Sequence, residues 1–225
     1  MNEIRVALAG IGNCASSLVQ GAVYYGDREQ EIPGLITQDF AGYRPGDIRF
    51  VAAFDVDRRK VGRDLSEAIF AAPNCTQVFQ REIPRLDCPV SMGYRLDSIA
   101  PHTDRYPLHR RFDALDDIYA TRADALAAVV GTLRSSGAEV LVNYMPVGSE
   151  EAAFFYAECA LEAGCAFVNA MPVFISKIWG DRFRERGLPI LGDDIKSQVG
   201  ATIVHRVLTK LFEDRGQKIN RTYQL

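Results

Sequence analysis

Six residues near the start of the chain, Gly10-Ile11-Gly12-Asn13-Cys14-Ala15, could hold a phosphate. They follow an apolar run, Ile4–Gly10, and precede a helical pattern over Asn13–Tyr25, so the glycines fall on a strand-to-helix turn. There Gly10 permits the tight turn, Gly12 lets backbone approach a pyrophosphate, and Ala15 lets the helix pack close to the strand. Backbone N–H groups at the helix start supply the anion site. The chemistry this predicts is dinucleotide binding; the alternative is a strand–helix turn without a ligand. An acidic residue closing the second strand should hold the adenosine ribose hydroxyls. "FVAAFDVDRRK" supplies Asp55 there, with Asp57 just beyond. Asp55 arrives later than the usual spacing because Gly26–Gly46 intervenes. A carboxylate favours NAD, since it repels the extra phosphate of NADP. Arg58 and Arg59 follow at once and could receive that phosphate, or simply begin a solvated helix.

The elements that must position these residues alternate. Strand-like runs lie at Ile4–Gly10, Ile48–Asp55, Glu139–Tyr144, Ala166–Ala170 and Leu188–Gly192. Helical patterns lie at Asn13–Tyr25, Arg58–Phe70, Asp124–Ser135, Ser149–Ala163 and Lys196–Arg215. Such alternation predicts an α/β sheet built from βαβ units, with strands covered on both faces. Ser149, followed by Glu150 and Glu151, reads as a helix start with an N-cap hydroxyl, and Gly164 as its stop. Two segments break the rhythm, Gly26–Gly46 and Gln77–Phe112. Loops this long are usually functional or disordered, and both are expected to be surface insertions, a lid or an oligomer contact.

Composition narrows the function. The chain has 225 residues, 48% of them hydrophobic, enough for one substantial core. Lys plus Arg number 26 against 29 Asp plus Glu, and no basic block points to nucleic acid. No apolar run approaches the roughly 20 residues that span a bilayer, and the N-terminus enters a strand directly, so a cytoplasmic protein without a signal peptide is expected. Five cysteines, Cys14, Cys75, Cys88, Cys159 and Cys165, show no CxxC spacing and read as reduced thiols. Three histidines are too dispersed to make a zinc site by spacing, and the metal question stays open.

Three later stretches end strands where ligands gather in such sheets: "VNYMPVGSEEA", "FVNAMPVF" and "GDDIKSQVGAT". With "GIGNCASSLVQG" and "FVAAFDVD" they closely resemble the myo-inositol-1-phosphate synthase (inositol-3-phosphate synthase) family, in its bacterial, actinobacterial-like branch. The resemblance runs from residue 4 to residue 225. The glycine motif is unspecific by itself; GDDIKS behind a strand is highly specific.

The resemblance implies a Rossmann-like doubly wound parallel sheet over 1–200, with the start of a second, α+β oligomerisation domain over 201–225. It implies conversion of glucose 6-phosphate to 1D-myo-inositol 3-phosphate by a cytoplasmic homotetramer, for inositol and phospholipid biosynthesis. NAD is regenerated in each turnover: oxidation at C5, enolisation, aldol closure onto C1, and return of the hydride. Residue by residue, Gly10, Gly12, Asn13, Cys14 and the adjoining Ala15 match the pyrophosphate loop, and Asp55 the ribose acid. Pro146 to Ser149 match a segment lining the nucleotide, and Asn169 and Met171 lie closest to cofactor and substrate. Asp193, Asp194, Lys196 and Ser197 match GDDxKS, whose lysine is catalytic; Asp193 and Ser197 join Lys196 in that role, and Asp193 and Asp194 also face the cofactor. Physics agrees about Lys196. A helix start disfavours a cation unless an oxyanion or phosphate sits nearby, and desolvation would lower its pKa for proton transfer. The bland reading is a surface lysine paired with Asp193 or Asp194.

Two departures stand out. Many relatives carry a second lysine where this chain has Ala201. The chain also stops at "NRTYQL", where the family continues, so a truncated synthase is expected, with "KINRTYQL" beginning an unpaired strand. A simple NAD(P)-dependent dehydrogenase of a sugar or amino acid, or a non-catalytic NAD-binding remnant, are the rival readings.

Overall fold

Val6 and Leu8 alternate with Ala7 and Ala9 along β1 (Ile4–Ala9), and all four are buried, so this strand has a covering layer on each face. The computed structural model describes residues 3–26, 33–99, 101–195 and 201–223. Around β1 it arranges β2 (Ile48–Asp55), β3 (Val90–Met92), β4 (Val140–Asn143), β5 (Ala166–Asn169) and β6 (Ile190–Leu191). The order is β3-β2-β1-β4-β5-β6, every pairing parallel. From β1 the chain builds outward through β2 to β3, then restarts on the other side at β4. The strand order therefore reverses between β1 and β4, and a crevice opens beyond their carboxyl ends. This is the expected Rossmann-like α/β sheet.

One face packs Val6, Leu8, Phe50, Ala53 and Val90 under α1 (Asn13–Gly26) and the short α2 (Leu65–Ala68). The other carries Ala7, Ala9, Ala52 and Phe54 under α3 (Arg122–Ser136), α4 (Glu150–Ala163) and α5 (Ile175–Glu185). Its small strand residues leave room for large helical ones. Phe155 and Tyr156 of α4 are buried, and the Phe155 ring packs at 5.3 Å from that of Tyr94.

Three expectations need correction. The helix expected over Arg58–Phe70 is interrupted: Gly62 adopts φ +84°, and only Leu65–Ala68 is helical, capped by Asp64 accepting from Ser66 N. Gln77–Phe112 is not a surface insertion throughout, because it contributes β3 and buries Cys88, Val90, Met92 and Ser98. Three residues are too few to show periodicity. The helix α5 was not anticipated, although Ile175, Trp179 and Phe183 recur every fourth residue; Gly180 within it masked the pattern. Residues 217–223 pair with no strand among the described residues, and the expectation of an unpaired strand over "KINRTYQL" is left as it stood.

The chain divides into two compact units, 1–195 and 196–225. In the second, Val204, Leu208 and Phe212 of α6 (Ala201–Asp214) line an apolar groove with Ile219 and Tyr223. Among the described residues no helix is long and apolar enough to cross a membrane.

The larger core hinges on the aromatic residues of α4. Phe155→Ala should cost about 3–5 kcal/mol, read as a lowered urea midpoint. An unchanged midpoint would mean that this layer does not hold the sheet.

Candidate functional site

At the carboxyl ends of β1 and β2, the backbone is pinned before any side chain reaches out. Gly10 N donates to Phe54 O at 2.9 Å, and Tyr144 N to Ala9 O at 2.8 Å, so the turn is fastened to both neighbouring strands. Gly10 stands at φ +87°, and a Cβ there would lie 2.7 Å from the Tyr144 carbonyl oxygen. No side chain fits. Gly12 differs: a Cβ there would meet nothing within 4 Å. The space beside it is open, and it adjoins the first turn of α1, whose leading N–H groups have no partner within the helix. Ala15 is buried on that turn, while Asn13 and Cys14 are exposed.

Asp55 closes β2, as expected, but its carboxylate is already engaged. Oδ2 accepts from Ile11 N at 2.9 Å, and Oδ1 from Val56 N and Asp57 N at 2.7 and 2.8 Å. Lys60, entirely buried, places Nζ 3.6 Å from Oδ2. Asp55 thus ties the glycine turn to the second strand while still lining the crevice.

The neighbouring basic residues divide. Arg59 is held by Asp57, through Nε and Nη2, and donates to the carbonyls of Leu108 and Arg111. It is committed and not free for a phosphate, whereas Arg58 is exposed, 3.7 Å from Asp113. Burial alone would raise the Asp57 carboxyl. Hydrogen bonds from the Arg59 side chain and from Asp113 and Arg59 backbone outweigh it, and the group sits below its ordinary 3.8.

Asn13 turns its side chain to a neighbouring loop. Its Oδ1 accepts from Cys75 N and Thr76 N at 2.8 and 3.1 Å. Ser149 corrects a further expectation, since its hydroxyl makes no cap bond and is buried with no hydrogen-bond partner among the described residues. Asp97 caps α4 instead, accepting from Glu151 N and Ala152 N. That cap comes from a distant loop, which no local pattern reveals.

A polar network crosses the ends of β4, β5 and β6. Asn143 Nδ2 donates to Asn169 Oδ1 at 3.0 Å, and Asn169 Nδ2 to Asp193 Oδ1 at 2.7 Å and to Val173 O. Met171 N donates to Asn169 Oδ1. Asp193 also accepts from Ile175 N, Ser176 N and Ser176 Oγ, so it caps α5. The sequence-predicted Asn169, Met171 and Asp193 are therefore joined, with Asp194 N donating to Met171 O. Lys196 and Ser197 lie outside the described residues.

Gly10, Gly12, Asp55 and Pro146 line one crevice, with Phe54, Ser98, Phe112, Tyr144, Met145 and Tyr156. Ser98 and Phe112 come from the segment expected to be an insertion, and Tyr144 and Met145 sit unremarked within "VNYMPVGSEEA". Burial, with the nearby Cys14, pushes the Tyr144 phenol up to about 12, so it stays a neutral hydrogen-bonding group. The open backbone at Gly12, the start of α1 and a carboxylate at the end of β2 fit a nucleotide's phosphates and ribose. Among the described residues no group of three His, Cys, Asp or Glu could hold a metal.

No family model matches the chain. It is 52% identical over 227 residues to the inositol-3-phosphate synthase of Mycolicibacterium smegmatis, covering 99% of this chain and 59% of that protein. The crystal structure of Ari2 superposes with a TM-score of 0.79 at 34% identity, over 96% of this chain and 59% of that one. A myo-inositol-1-phosphate synthase-related protein from Thermotoga maritima superposes with a TM-score of 0.65 at 22% identity, over 96% of this chain and 60% of that one. The chain thus spans about three-fifths of the length of the proteins it matches. The fold and the homology are consistent with a nucleotide cofactor.

Two variants test the geometry. Gly10→Ala should destabilise the chain by about 1–3 kcal/mol or more through backbone strain, seen in a thermal melt; an unaltered melt would contradict the turn. Because Asp57 is lowered, the stability it adds is in place above pH 3.8 and is lost as pH falls through its folded value. Asp57→Asn should lower stability at neutral pH and flatten the acid limb, measured by melts across that range.

Proposed function

We infer that this chain, homologous over nearly its whole length to the inositol-3-phosphate synthases, binds NAD at its glycine turn and serves the isomerisation of glucose 6-phosphate to 1D-myo-inositol 3-phosphate. The observation that carries the reading is the open backbone at Gly12, set between the start of α1 and Asp55. Gly12, Asn13, Cys14 and Ala15 would hold the pyrophosphate through backbone N–H groups. Asp55 would face the ribose from the position it already occupies, and Pro146 to Ser149 would border the nucleotide. Bound there, NAD would take a hydride from the sugar and give it back, leaving an isomerisation with no net oxidation.

The chain's own part in the chemistry falls to the residues around β5 and β6. Asn169 and Met171 would orient the sugar and cofactor from the end of β5, held by the amide network. Asp193, fixed by four donors, would keep the following segment in register, with Asp194 beside it. Lys196 would stabilise negative charge on the oxygen at C5 and carry the proton removed from C6, with Ser197 as a neighbouring donor. The reading includes a cytoplasmic homo-oligomer, as the family resemblance implies.

Gly12→Val is the direct test, because a Cβ at Gly12 meets no atom of the described residues within 4 Å and the variant should fold. Calorimetric titration should show NAD bound by the native chain and not by the variant. Equal affinity would remove the phosphate-cradle reading. Lys196→Ala, placed in a full-length synthase carrying this sequence, should lose turnover by about 10²–10³ while still binding NAD. Lys196→Arg should remain poor, since a guanidinium does not release its proton. Normal turnover of Lys196→Ala would make it a surface residue, and net NADH accumulation would point to a dehydrogenase.

A further inference from the structure

Behind the glycine turn lies a side chain that the cofactor reading leaves unused. Lys60 is completely buried, among the largest such side chains of the described residues. Its Nζ donates to the Ile11 carbonyl oxygen at 2.7 Å and to Asn74 Oδ1 at 3.0 Å, and lies 3.6 Å from Asp55 Oδ2. Asn74 Nδ2 donates to the same Ile11 oxygen at 3.0 Å and to Ile69 O at 2.9 Å. Burying an ammonium is costly unless partners replace its water. Here each partner either belongs to the glycine turn or grips it.

Peptide geometry gives this arrangement a consequence. In a trans peptide the carbonyl and the following N–H point in opposite directions. With the Ile11 carbonyl drawn inward by Lys60 and Asn74, the Gly12 N–H points the opposite way, away from the buried ammonium, at a residue that lines the crevice. Hydrogen bonds in a chain polarise one another, so a cation on the carbonyl strengthens the N–H as a donor. Ile11 N, bound to Asp55, fixes the preceding peptide in turn.

We propose that Lys60, with Asn74, is the positioning residue for a bound pyrophosphate, holding the Ile11–Gly12 peptide so that its N–H is presented to the anion and strengthened by the buried charge. This rests on the reading that a dinucleotide binds at the glycine turn. Lys60 touches no ligand; it acts through one peptide group. The arrangement also explains why a lysine stands where its charge is shielded from solvent, when an exposed one would be open to competing salt.

Two ligands separate positioning from general support of the fold. NAD carries the pyrophosphate, and adenosine shares its base and ribose but has no phosphate. Both are titrated by NMR into the 225-residue chain and its Lys60→Met variant. The native chain should bind both. Lys60→Met should weaken NAD by about 10- to 100-fold, the size of a charge-assisted hydrogen bond, and adenosine, which meets the site only through base and ribose, by clearly less. The Gly12 amide resonance of the ligand-free variant should also move. Unchanged NAD affinity, or NAD and adenosine weakened alike, overturns the proposal and leaves the dinucleotide reading standing. A native chain that binds no NAD overturns both. Should Lys60→Met not fold, Asn74→Ala keeps the cation and removes two donors. It should weaken NAD by about 3- to 10-fold with adenosine unchanged, and equal NAD affinity again overturns the proposal.

Discussion

One carboxylate organises the ligand end of this sheet. Asp55 stands at the last residue of β2 and accepts from three backbone N–H groups, one of them on the glycine turn that follows β1. A buried carboxylate needs such partners, since losing water without them would cost several kcal/mol. The partners it finds fix the turn against the second strand. Lys60 balances its charge from beneath and reaches the same turn. The start of α1, the mouth of the crevice and the path of residues 56–60 all follow from that fastening.

The two glycines of the turn divide the labour. Gly10 serves the fold: its positive φ and the carbonyl of Tyr144 leave no room for a side chain. Gly12 is under no such constraint, since a Cβ there would meet no atom of the described residues within 4 Å. On the far side of the switch point, Asn143 and Asn169 join the ends of β4 and β5, and Asp193 extends the bond chain to β6 and caps α5. Two hydrogen-bonded networks thus hold the ends of the strands, one to each side of the β1–β4 reversal.

Much of this could be read from residue order, where the determining forces are local. The β1 alternation, the glycine turn, Asp55 and the Gly164 stop of α4, which takes φ +83°, each depend on a few adjacent residues. What could not be read depends on distant ones. Asp97 caps α4 from more than fifty residues away, leaving Ser149 without the cap bond expected of it. β3 is a strand only because β2 offers an edge, and three residues carry no period of their own. Lys60 follows Arg58 and Arg59 in "DRRK", where nothing local marks it out from its neighbours, yet it is fully buried. Burial of a charge is a tertiary fact.

On the proposed reading, the glycine turn presents backbone N–H groups to a dinucleotide's phosphates. An amide-resolved NMR titration of the isotope-labelled chain with NAD tests it most directly. The largest shifts should fall on Gly12 to Ala15, with smaller ones at Asp55, Val56 and Met145 to Ser149. Shifts absent from Gly12 to Ala15, or confined to the groove between Val204 and Tyr223, would contradict it.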